Sequence, residues 1–239
     1  MPEPASLTLL GTGCAGLVIR FLQKEYHRAK PILEWVVALL LLVLLAPVLA
    51  ACAVLIKLTS RGPAIYRQER VGLQGRVFTL LKLRTMYVDA EAETGPVWAQ
   101  GDRDPRVTPV GHLLRRTHLD ELPQLVNVLR GEMSLVGPRP ERPHFVEQLK
   151  KAVPDYEQRL AVRPGITGLA QVRLGYDRTL RDVRRKVKLD CLYIRRMCWW
   201  VDAVILFGTL GKLFGLQPKG GIEETEDLTQ SSDSVSDVL

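Results

Sequence analysis

The sequence predicts a helix-rich α/β domain joined to a membrane segment, and three observations support this fold class. About 22 residues without a charge, Trp35–Ile56, form an apolar run long enough to cross a bilayer core as a helix. Apolar residues then alternate on both sides of the turn GLQG at 72–75, which is the pattern of a β-hairpin. Further along the chain, apolar residues recur at spacings of three and four, as they do in amphipathic helices.

The composition permits a folded core and implies an anionic partner. The chain has 239 residues, of which 46% are hydrophobic, enough for one sizeable domain or two small ones. Its net charge of +7 understates the basicity, because residues 223–239 hold six acids and no base and so leave +13 on the rest of the chain. Such a surplus favours nucleic acid, anionic lipid or a phosphorylated substrate as the partner.

The cysteines and histidines do not indicate a redox or zinc site. The four cysteines lack CxxC spacing, so we expect them to be reduced, with Cys52 and Cys191 in apolar packing. The four histidines are scattered and form no HExxH or Cys/His pattern. Other residue types are therefore expected to supply the chemistry.

The apolar run is interpreted as a membrane segment that covers residues 31–60, preceded by an amphipathic or loosely ordered lead-in at residues 1–30. Pro47 lies near the middle of the run, where it removes a backbone hydrogen bond and kinks a helix. Basic residues flank both ends of the run, and such residues prefer the cytoplasmic side. A re-entrant helix hairpin broken at Pro47 is therefore favoured, and the alternative is an ordinary transmembrane anchor.

The segment 64–86 predicts the β-hairpin, and its second arm places two cations together. Side chains alternate between the faces of a strand, so Lys82 and Arg84 share one face. Two neighbouring cations repel each other, which is tolerable on a solvated face and useful beside an anion. Both interpretations of the pair remain open at this point.

A loop and three helices are predicted after the hairpin. Residues 89–109 are rich in Gly, Pro and Asp and indicate a loop, with Val97 and Trp98 as packed anchors. Helix signals follow at 110–116, 122–130 and 143–152.

The stretch RRTHLDELPQL at 115–125 places Asp120 and Glu121 side by side, between arginines and Pro123. One interpretation is an ordinary helix start, because proline and acidic residues are both favoured in a first turn. The alternative is a pair of functional carboxylates in basic surroundings. Local sequence alone favours the helix start.

Two further stretches, 134–145 and 161–172, combine prolines and glycines with arginines. Prolines restrict the backbone, so Arg139 and Arg163 are presented with little ordering entropy left to lose. Guanidinium groups held in this way can bind phosphate through paired hydrogen bonds. The alternative is a pair of tight connections with solvated arginines, but together with the two cations of the hairpin the loops favour an anion site.

A long basic helix is predicted from about Thr179, because apolar residues form a stripe at Leu180, Val183, Val187, Cys191 and Ile194. Its basic remainder, and the pair Trp199–Trp200 that follows, suit interfacial helices on an anionic membrane surface. A nucleic-acid groove and a core helix with a solvated basic face are the alternatives. Residues 218–239 are acidic and are predicted to be a disordered tail.

Four blocks of the sequence resemble a known family, the bacterial sugar transferases or monotopic phosphoglycosyl transferases. These blocks are KLRTM (82–86), DPRVTPVGHLLRRTHLDELPQLVNVLRGEMSLVGPRPE (104–141), RPGITGLAQV (163–172) and KLDCLYI (188–194). The resemblance covers roughly Ile32 to Phe214. Larger members of the family carry additional transmembrane helices before this part, so the chain is similar to the short form.

The resemblance implies a re-entrant membrane helix joined to a catalytic domain, here residues 61–217, on the cytoplasmic face of the bacterial inner membrane. It implies transfer of a sugar phosphate from a UDP-sugar to polyprenol (undecaprenyl) phosphate, with release of UMP, as the start of cell-surface glycan or exopolysaccharide synthesis. Anionic membrane lipid is an expected partner and nucleic acid is not, and a homo-oligomer is left open. The alternatives are a membrane-bound glycosyltransferase that releases UDP and a non-enzymatic basic scaffold.

The resemblance also assigns roles to residues. Asp120 matches the nucleophile of a ping-pong mechanism that passes through a covalent phosphosugar, and Glu121 matches the residue that helps to hold the cofactor Mg²⁺. Contacts to nucleotide or phosphate are implied for Arg115 and Arg163, and less directly for Lys82, Arg84 and Arg139. A carboxylate that attacks an anionic diphosphate needs its charge neutralised, and these cations would supply that.

Overall fold

The computed structural model of the chain describes residues 5–90, 92, 104–174, 179–213 and 215, with side chains from Lys24 onward. Within these residues, seven α-helices occupy Ala5–Thr59 (α1), Pro109–Arg116 (α2), Gln124–Leu129 (α3), Pro143–Ala152 (α4), Leu169–Arg173 (α5), Leu180–Arg196 (α6) and Trp199–Leu213 (α7). Strands occupy Ile65–Val71 (β1), Val77–Leu83 (β2), Ser134–Val136 (β3) and Gly165–Thr167 (β4). Short 3₁₀ turns lie at Leu73–Gly75, Leu119–Glu121 and Tyr156–Ala161. The helix-rich α/β class is confirmed.

The predicted β-hairpin is present. Strands β1 and β2 pair antiparallel in a register that joins Ile65 to Leu83 and Val71 to Val77. Leu80, on the face of β2 that also carries Lys82, is buried against α1 and α3. The alternation seen in the sequence therefore places Lys82 beside the core rather than on an open sheet face.

Two of the predicted helices have the expected bounds within one residue, and the third is shorter. The helices α2 and α4 match the predictions at 110–116 and 143–152. The helix predicted at 122–130 begins only at Gln124, because Pro123 occupies its N-cap and the preceding residues 119–121 form a separate 3₁₀ turn. The acidic pair therefore lies in this turn and not in the first turn of α3.

The two stretches interpreted as Pro/Gly loops each contain a short strand, which corrects the prediction for 134–145 and 161–172. Strands β3 and β4 pair in parallel, with Ser134 opposite Gly165 and Val136 opposite Thr167. Each strand has three residues, too few to show an alternating pattern in the sequence. The pairing brings the two arginine-bearing segments next to each other.

Helix α1 has 55 residues and is continuous, so the predicted lead-in and the membrane segment belong to one element. It stays helical through Pro47, and the predicted division into two helices is not observed. A proline removes only one hydrogen-bond donor, which a helix can tolerate. Within the described residues, Lys24–Thr59 is the one helix long and apolar enough to cross a membrane, and 11% of its most apolar part is buried in the protein.

One face of α1 packs against the rest of the domain in two parts of its described side chains, at residues 26–38 and at residues 52–56. Buried residues follow a helical spacing, at Tyr26, Lys30, Glu34, Ala38, Cys52 and Ile56. Ala38 contacts the core beneath β2 and α3, and Ile56 packs with Leu83 and Leu114. The opposite face exposes large apolar side chains, including Leu40, Val43 and Leu44.

Helix α6 begins at Thr179, whose side chain forms a reciprocal capping box with Asp182. Its apolar stripe packs on α4 and on the turn Tyr156–Ala161, so the stripe is used by the protein core. This agrees with the alternative of a core helix whose exposed face is basic. Of these two C-terminal helices, α7 is the one with large exposed apolar side chains, since Trp200 and Phe207 are 76% and 73% exposed.

Cys52, Cys191 and Cys198 are free thiols, which confirms the expectation for these three. The predictions for Val97 and Trp98 and for the tail at 218–239 fall outside the described residues.

Candidate active site

Four elements bring the predicted site residues together. Strand β2 supplies Lys82, the last turn of α2 supplies Arg115, and the 3₁₀ turn Leu119–Glu121 supplies the two acids. The segment that follows β3 supplies Arg139. Residues that are up to 57 positions apart in the chain therefore form one charged cluster.

The acidic turn is fixed by its apolar neighbours and by a left-handed residue. His118 has φ 54°, a conformation that histidine adopts more readily than most residues, and it separates α2 from the turn. Leu119 packs on the core formed with Leu114, and Leu125 packs on the core beneath β2. The chain reverses between these two anchors, and the reversal holds Asp120 at 7% exposure.

Glu121 is locked by two cations. Its Oε1 accepts from Lys82 Nζ at 2.8 Å and from Arg139 Nη2 at 2.6 Å, and its Oε2 lies 3.4 Å from Arg139 Nη1. Burial alone would raise the pKa of this carboxyl, but Arg139 and Lys82 outweigh it and hold the pKa well below its usual range. Glu121 is therefore ionised and its position is determined by its partners.

Asp120 has the opposite environment. Its carboxylate is buried but accepts no hydrogen bond from any residue that the structure describes. Burial raises the pKa of Asp120, the cation of Lys82 opposes this, and the neighbouring Glu121 raises the pKa further. Arg115 and Arg139 also pull the pKa downward. Cations thus influence the group without forming a hydrogen bond to it, which leaves its oxygens available to an incoming phosphorus.

The segments that carry Arg139 and Arg163 meet where their glycines lie. A Cβ at Gly165 would collide with the backbone nitrogen of Gly137, and one at Gly168 would collide with the carbonyl of Gly137. Only glycine permits such a close approach of two backbones. Gly165 N also donates to Pro138 O at 2.9 Å, so the segment before Arg139 is tied directly to the start of β4.

Arg159 and Arg70 hold the main chain around Arg139. Arg159 Nη2 donates to Arg139 O at 2.7 Å, and its Nε donates to Asp190 Oδ2 at 3.1 Å. Arg70 Nη1 donates to Pro140 O at 3.0 Å. The backbone of the arginine-bearing segment is therefore fixed from behind while the guanidinium of Arg139 reaches Glu121.

Arg115 is held at one nitrogen only. Its Nε donates to Thr85 Oγ1 at 3.0 Å, while Nη1 and Nη2 donate to no residue in the part of the chain that the structure describes. Thr85 comes close because Gly111 at the start of α2 has no Cβ to collide with its carbonyl. The two terminal guanidinium nitrogens, whose positive charge acts on the Asp120 carboxylate, remain available for an anion.

The other two predicted contact residues differ from each other. The guanidinium of Arg84 donates to Ser60 O and Oγ and to Arg61 O, so it ties β2 to the end of α1. Arg163 lies half-buried just before β4, and its guanidinium makes no hydrogen bond or ion pair with the described residues. The geometry brings Arg163 next to the Arg139 segment and gives Arg84 a structural contact, and the substrate contacts of both stay predictions.

A divalent metal fits this cluster only together with a phosphorylated ligand. Within the described residues no group of three or more His, Cys, Asp or Glu could hold a metal ion. Mg²⁺, however, is often bound by one or two carboxylates together with substrate phosphates and waters. Oε2 of Glu121, with one long contact, and the carboxylate of Asp120 could supply such oxygen ligands.

Several residues of the site have no clear signal in the sequence. Thr85 and Arg159 hold Arg115 and Arg139 in place, and neither lies in a pattern that indicates this role. Asp190 does leave a signal, since it is an acid next to the apolar stripe of α6, where burial requires a cationic partner.

The chain matches the family model described as bacterial sugar transferase over residues 25–215. It is 47% identical over 187 residues to the UDP-glucose:undecaprenyl-phosphate glucose-1-phosphate transferase of Caulobacter vibrioides, covering 77% of this chain and 69% of that protein. It is 46% identical to the UDP-N-acetylgalactosamine-undecaprenyl-phosphate N-acetylgalactosaminephosphotransferase of Aeromonas hydrophila, over 72% of this chain and 40% of that protein.

A third relative is the UDP-glucose:undecaprenyl-phosphate glucose-1-phosphate transferase of Escherichia coli K12, 45% identical over 75% of this chain and 39% of that protein. The match therefore spans about two fifths of two of these relatives, which are longer proteins. The family model covers most of the chain, including every residue of the charged cluster. The chain therefore belongs to the bacterial sugar transferase family.

Proposed function

We propose that this protein transfers a sugar phosphate from a UDP-sugar to polyprenol (undecaprenyl) phosphate and releases UMP, with Asp120 as the nucleophile. One observation carries the proposal: a buried carboxylate without a hydrogen-bond partner among the described residues lies next to a carboxylate that two cations lock in place. Burial of a carboxylate without a hydrogen-bond partner is costly, and such costs are concentrated at functional sites. The names of the relatives support the same substrates.

The reaction has two steps at one phosphorus atom. In the first, an oxygen of Asp120 forms a bond to the phosphorus that bears the sugar, and the bond from this phosphorus to the oxygen bridging to UMP breaks. UMP leaves with the bonding electron pair. In the second, an oxygen of polyprenol phosphate attacks the same phosphorus, the bond to Asp120 breaks, and the free carboxylate returns.

The cations of the cluster would lower the barrier by neutralising charge. The diphosphate and the attacking carboxylate are all anionic, and their repulsion is strong in a partly buried site. Among the described residues, the two terminal guanidinium nitrogens of Arg115 have no partner, and the backbone of the Arg163 segment lies beside the Arg139 segment, so both arginines are suited to bind diphosphate oxygens. Mg²⁺ would be held by Glu121 together with phosphate oxygens and would supply further positive charge to the diphosphate.

The contacts of α1 support a membrane placement in which both ends of the apolar segment lie on one side. Tyr26 and Ile56 are separated by about 45 Å of helix if it is straight, and both pack against the same domain. A domain on one side of a bilayer could not reach both ends of a spanning helix. We therefore propose that α1, although continuous, bends at Pro47 within the membrane so that both ends of its apolar segment lie at the cytoplasmic face of the inner membrane, and that the exposed apolar faces of α1 and α7 contact lipid.

The products of the reaction test the proposal. Purified protein in detergent or nanodiscs is incubated with polyprenol phosphate, Mg²⁺ and a panel that includes UDP-glucose and UDP-N-acetylgalactosamine. We expect UMP to be released with at least one sugar, because phosphoryl transfer leaves UMP and glycosyl transfer leaves UDP. Release of UDP would instead support a glycosyltransferase, and no Mg²⁺-dependent nucleotide release with any sugar would support a non-enzymatic scaffold.

The covalent step has a separate test. Protein is incubated with sugar-labelled UDP-sugar in the absence of the lipid, denatured, and separated from small molecules. We expect label on the protein that hydroxylamine removes, since acyl phosphates react with that nucleophile. UMP release that requires the lipid, with no label on the protein at any time, would contradict a double displacement.

A further inference from the structure

A second buried ionic cluster lies where α1, β3, α6 and α7 meet, away from the acidic turn. It contains Lys30 and Glu34 of α1, Tyr193 of α6 and Asp202 of α7, and each of these four side chains is nearly inaccessible. Lys30 Nζ lies 2.8 Å from Asp202 Oδ2 and 3.6 Å from Glu34 Oε1. None of these groups takes part in the proposed reaction, yet burying one ammonium and two carboxylates is costly. This cost indicates that the cluster has a role in the protein.

The carboxylate of Glu34 binds the free edge of β3. The other edge of β3 pairs with β4, and its Ser134 N donates to Pro164 O at 2.8 Å. Glu34 Oε1 accepts from Leu135 N at 3.1 Å and from Val136 N at 3.4 Å. Ser134 Oγ lies 2.7 Å from both carboxylate oxygens. Glu34 thus contacts all three residues of the strand.

Lys30 supplies a hydrogen-bond donor to a backbone carbonyl of the same strand, β3. Its Nζ donates to Val136 O at 3.1 Å, and Tyr193 Oη lies 3.0 Å from the same carbonyl. A strand edge normally needs a neighbouring strand to satisfy its amides and carbonyls. Here an ion pair from the apolar helix takes the place of that strand, with the carboxylate accepting and the ammonium donating.

Strand β3 leads directly into the active site. Val136 is its last residue, and Arg139, whose guanidinium binds Glu121, follows three positions later. Between them, Gly137 N donates to Thr167 O at 2.9 Å, so the chain has little freedom to absorb a shift of the strand. A displacement of β3 would therefore move Arg139 relative to Glu121 and Asp120.

We propose that Lys30 and Glu34 are positioning residues for the proposed transfer: by fixing β3, they couple the apolar helix α1 to the placement of Arg139 against Glu121. The inference rests on the proposed function for its effect on rate, but its structural part can be measured without any activity. Positioning effects of this kind are large, since a misplacement of about 1 Å can cost about a hundredfold in rate.

Two variants weaken the contact and one serves as the control. Glu34→Gln removes the charge but keeps the side-chain shape, and Ser134→Ala removes only the hydroxyl that Glu34 binds. Trp35→Phe is the matched control, because Trp35 Nε1 donates to Leu129 O of α3 at 3.2 Å and so links α1 to a different element. If Glu34→Gln fails to fold, Ser134→Ala still tests the contact with every charge in place.

The structural part is measured by hydrogen exchange of the full chain in nanodiscs. We expect amide exchange over residues 134–139 to rise about tenfold or more in Glu34→Gln and Ser134→Ala, and to stay unchanged in Trp35→Phe. Unchanged exchange of this segment in both variants would overturn the proposal, whatever the enzyme activity is. This readout also separates the proposal from the function, because it needs no substrate.

The kinetic part uses a double-mutant cycle with Arg139→Lys. If Glu34 acts through Arg139, Glu34→Gln should lower kcat about tenfold in the wild-type background and have little effect in the Arg139→Lys background. A residue with a merely structural role would lower both by the same factor. Multiplicative losses in an active wild-type enzyme would therefore overturn the positioning role while leaving the proposed function intact.

Discussion

The acidic turn and the ion cluster behind the Arg139 segment use the same residue types in opposite ways. The cluster behind, hereafter the scaffold cluster, consists of Arg70, Glu141, Arg159, Lys186 and Asp190. Glu141 Oε1 pairs with Lys186 Nζ at 2.7 Å, and Asp190 Oδ2 pairs with Arg159 Nη2 at 2.9 Å. Burial would raise the pKa of Glu141, but Lys186 and then Arg70 outweigh it and lower the pKa to about 2.

In the acidic turn the pairing is incomplete. Glu121 has two cationic partners, whereas the Asp120 carboxylate receives no hydrogen bond from the described residues. The comparison shows that the fold can provide a partner for a buried carboxylate where structure requires one. The lack of a hydrogen-bond partner for Asp120 among the described residues is therefore a property of the site, and it opposes stability in a way that a reactive group commonly does.

Replacing Asp120 should produce the largest effect on activity. We expect Asp120→Asn to lower turnover by at least about a thousandfold, because an amide cannot act as the nucleophile. Near-normal UMP release by Asp120→Asn, in protein checked by mass spectrometry for deamidation back to aspartate, would show that another group attacks phosphorus. Glu141→Gln, in the scaffold cluster, provides the contrast, because it should lose stability and cannot remove the nucleophile.

The same Asp120→Asn protein should be more stable than the wild type at neutral pH. Folding raises the pKa of this carboxyl, so stability is present at low pH and is lost as the pH rises through the folded pKa. Removing the charge should raise the melting temperature by about 2–4 °C for each ~1 kcal/mol gained. A lower melting temperature for Asp120→Asn would mean that Asp120 is a structural partner like those in the scaffold cluster.

Breaking the scaffold cluster should mainly affect stability. Arg159→Met removes the guanidinium that pairs with the buried Asp190, leaves only the positive charge of Lys186 to act on that carboxylate, and removes the donor to Arg139 O. The loss of one partner from a buried pair typically costs about 3–5 kcal/mol, and we expect a loss of that order in denaturant unfolding of the detergent-solubilised protein. Arg67→Met, an exposed arginine of β1, is the control and should change stability by less than about 0.5 kcal/mol.

Adding Asp190→Leu to Arg159→Met would sharpen this result. An apolar pair avoids the buried carboxylate that has lost its guanidinium partner, so the double variant should regain part of the stability. It should not regain activity, because Arg139 O still lacks its donor. If the single and double variants were equally unstable, the loss would come from packing and not from the loss of the guanidinium partner of Asp190.

The features of the fold that the sequence predicts are those with local causes. Turn residues at 72–75 and alternating arms specify the hairpin, Pro143 marks the start of α4, and Thr179 with Asp182 caps α6. Strands β3 and β4 are not predictable in this way, because each has three residues and exists only through the other. The sequence also does not show how the α6 stripe packs into the core, because an apolar stripe predicts that one face of a helix is buried but not which elements cover it.

The same distinction between local and long-range causes applies to the candidate site. Asp120 and Glu121 are contiguous and stand among arginines, so a single stretch of sequence presents them. The two acids differ because Lys82 and Arg139 donate hydrogen bonds to Glu121 and not to Asp120. These two donors lie 39 and 18 residues away from Glu121 in the chain. The Lys30–Glu34 pair has helical spacing that indicates an ion pair, but its binding to β3 joins residues about 100 positions apart.

The protonation of Asp120 gives the prediction with the smallest expected effect. It is also the most specific test of the difference between the acidic turn and the scaffold cluster. Only the ionised carboxylate can attack, so the rate of label transfer to the protein should fall as the pH falls through the pKa of Asp120. Burial raises this pKa and the cation of Lys82 lowers it, so Lys82→Met should move the acidic limb to higher pH. Arg116→Met is the matched control, because this neighbouring arginine is exposed and should leave the limb in place. An acidic limb that stays fixed in Lys82→Met would mean that the group titrating in the reaction is not Asp120, because the field of Lys82 acts on that carboxylate.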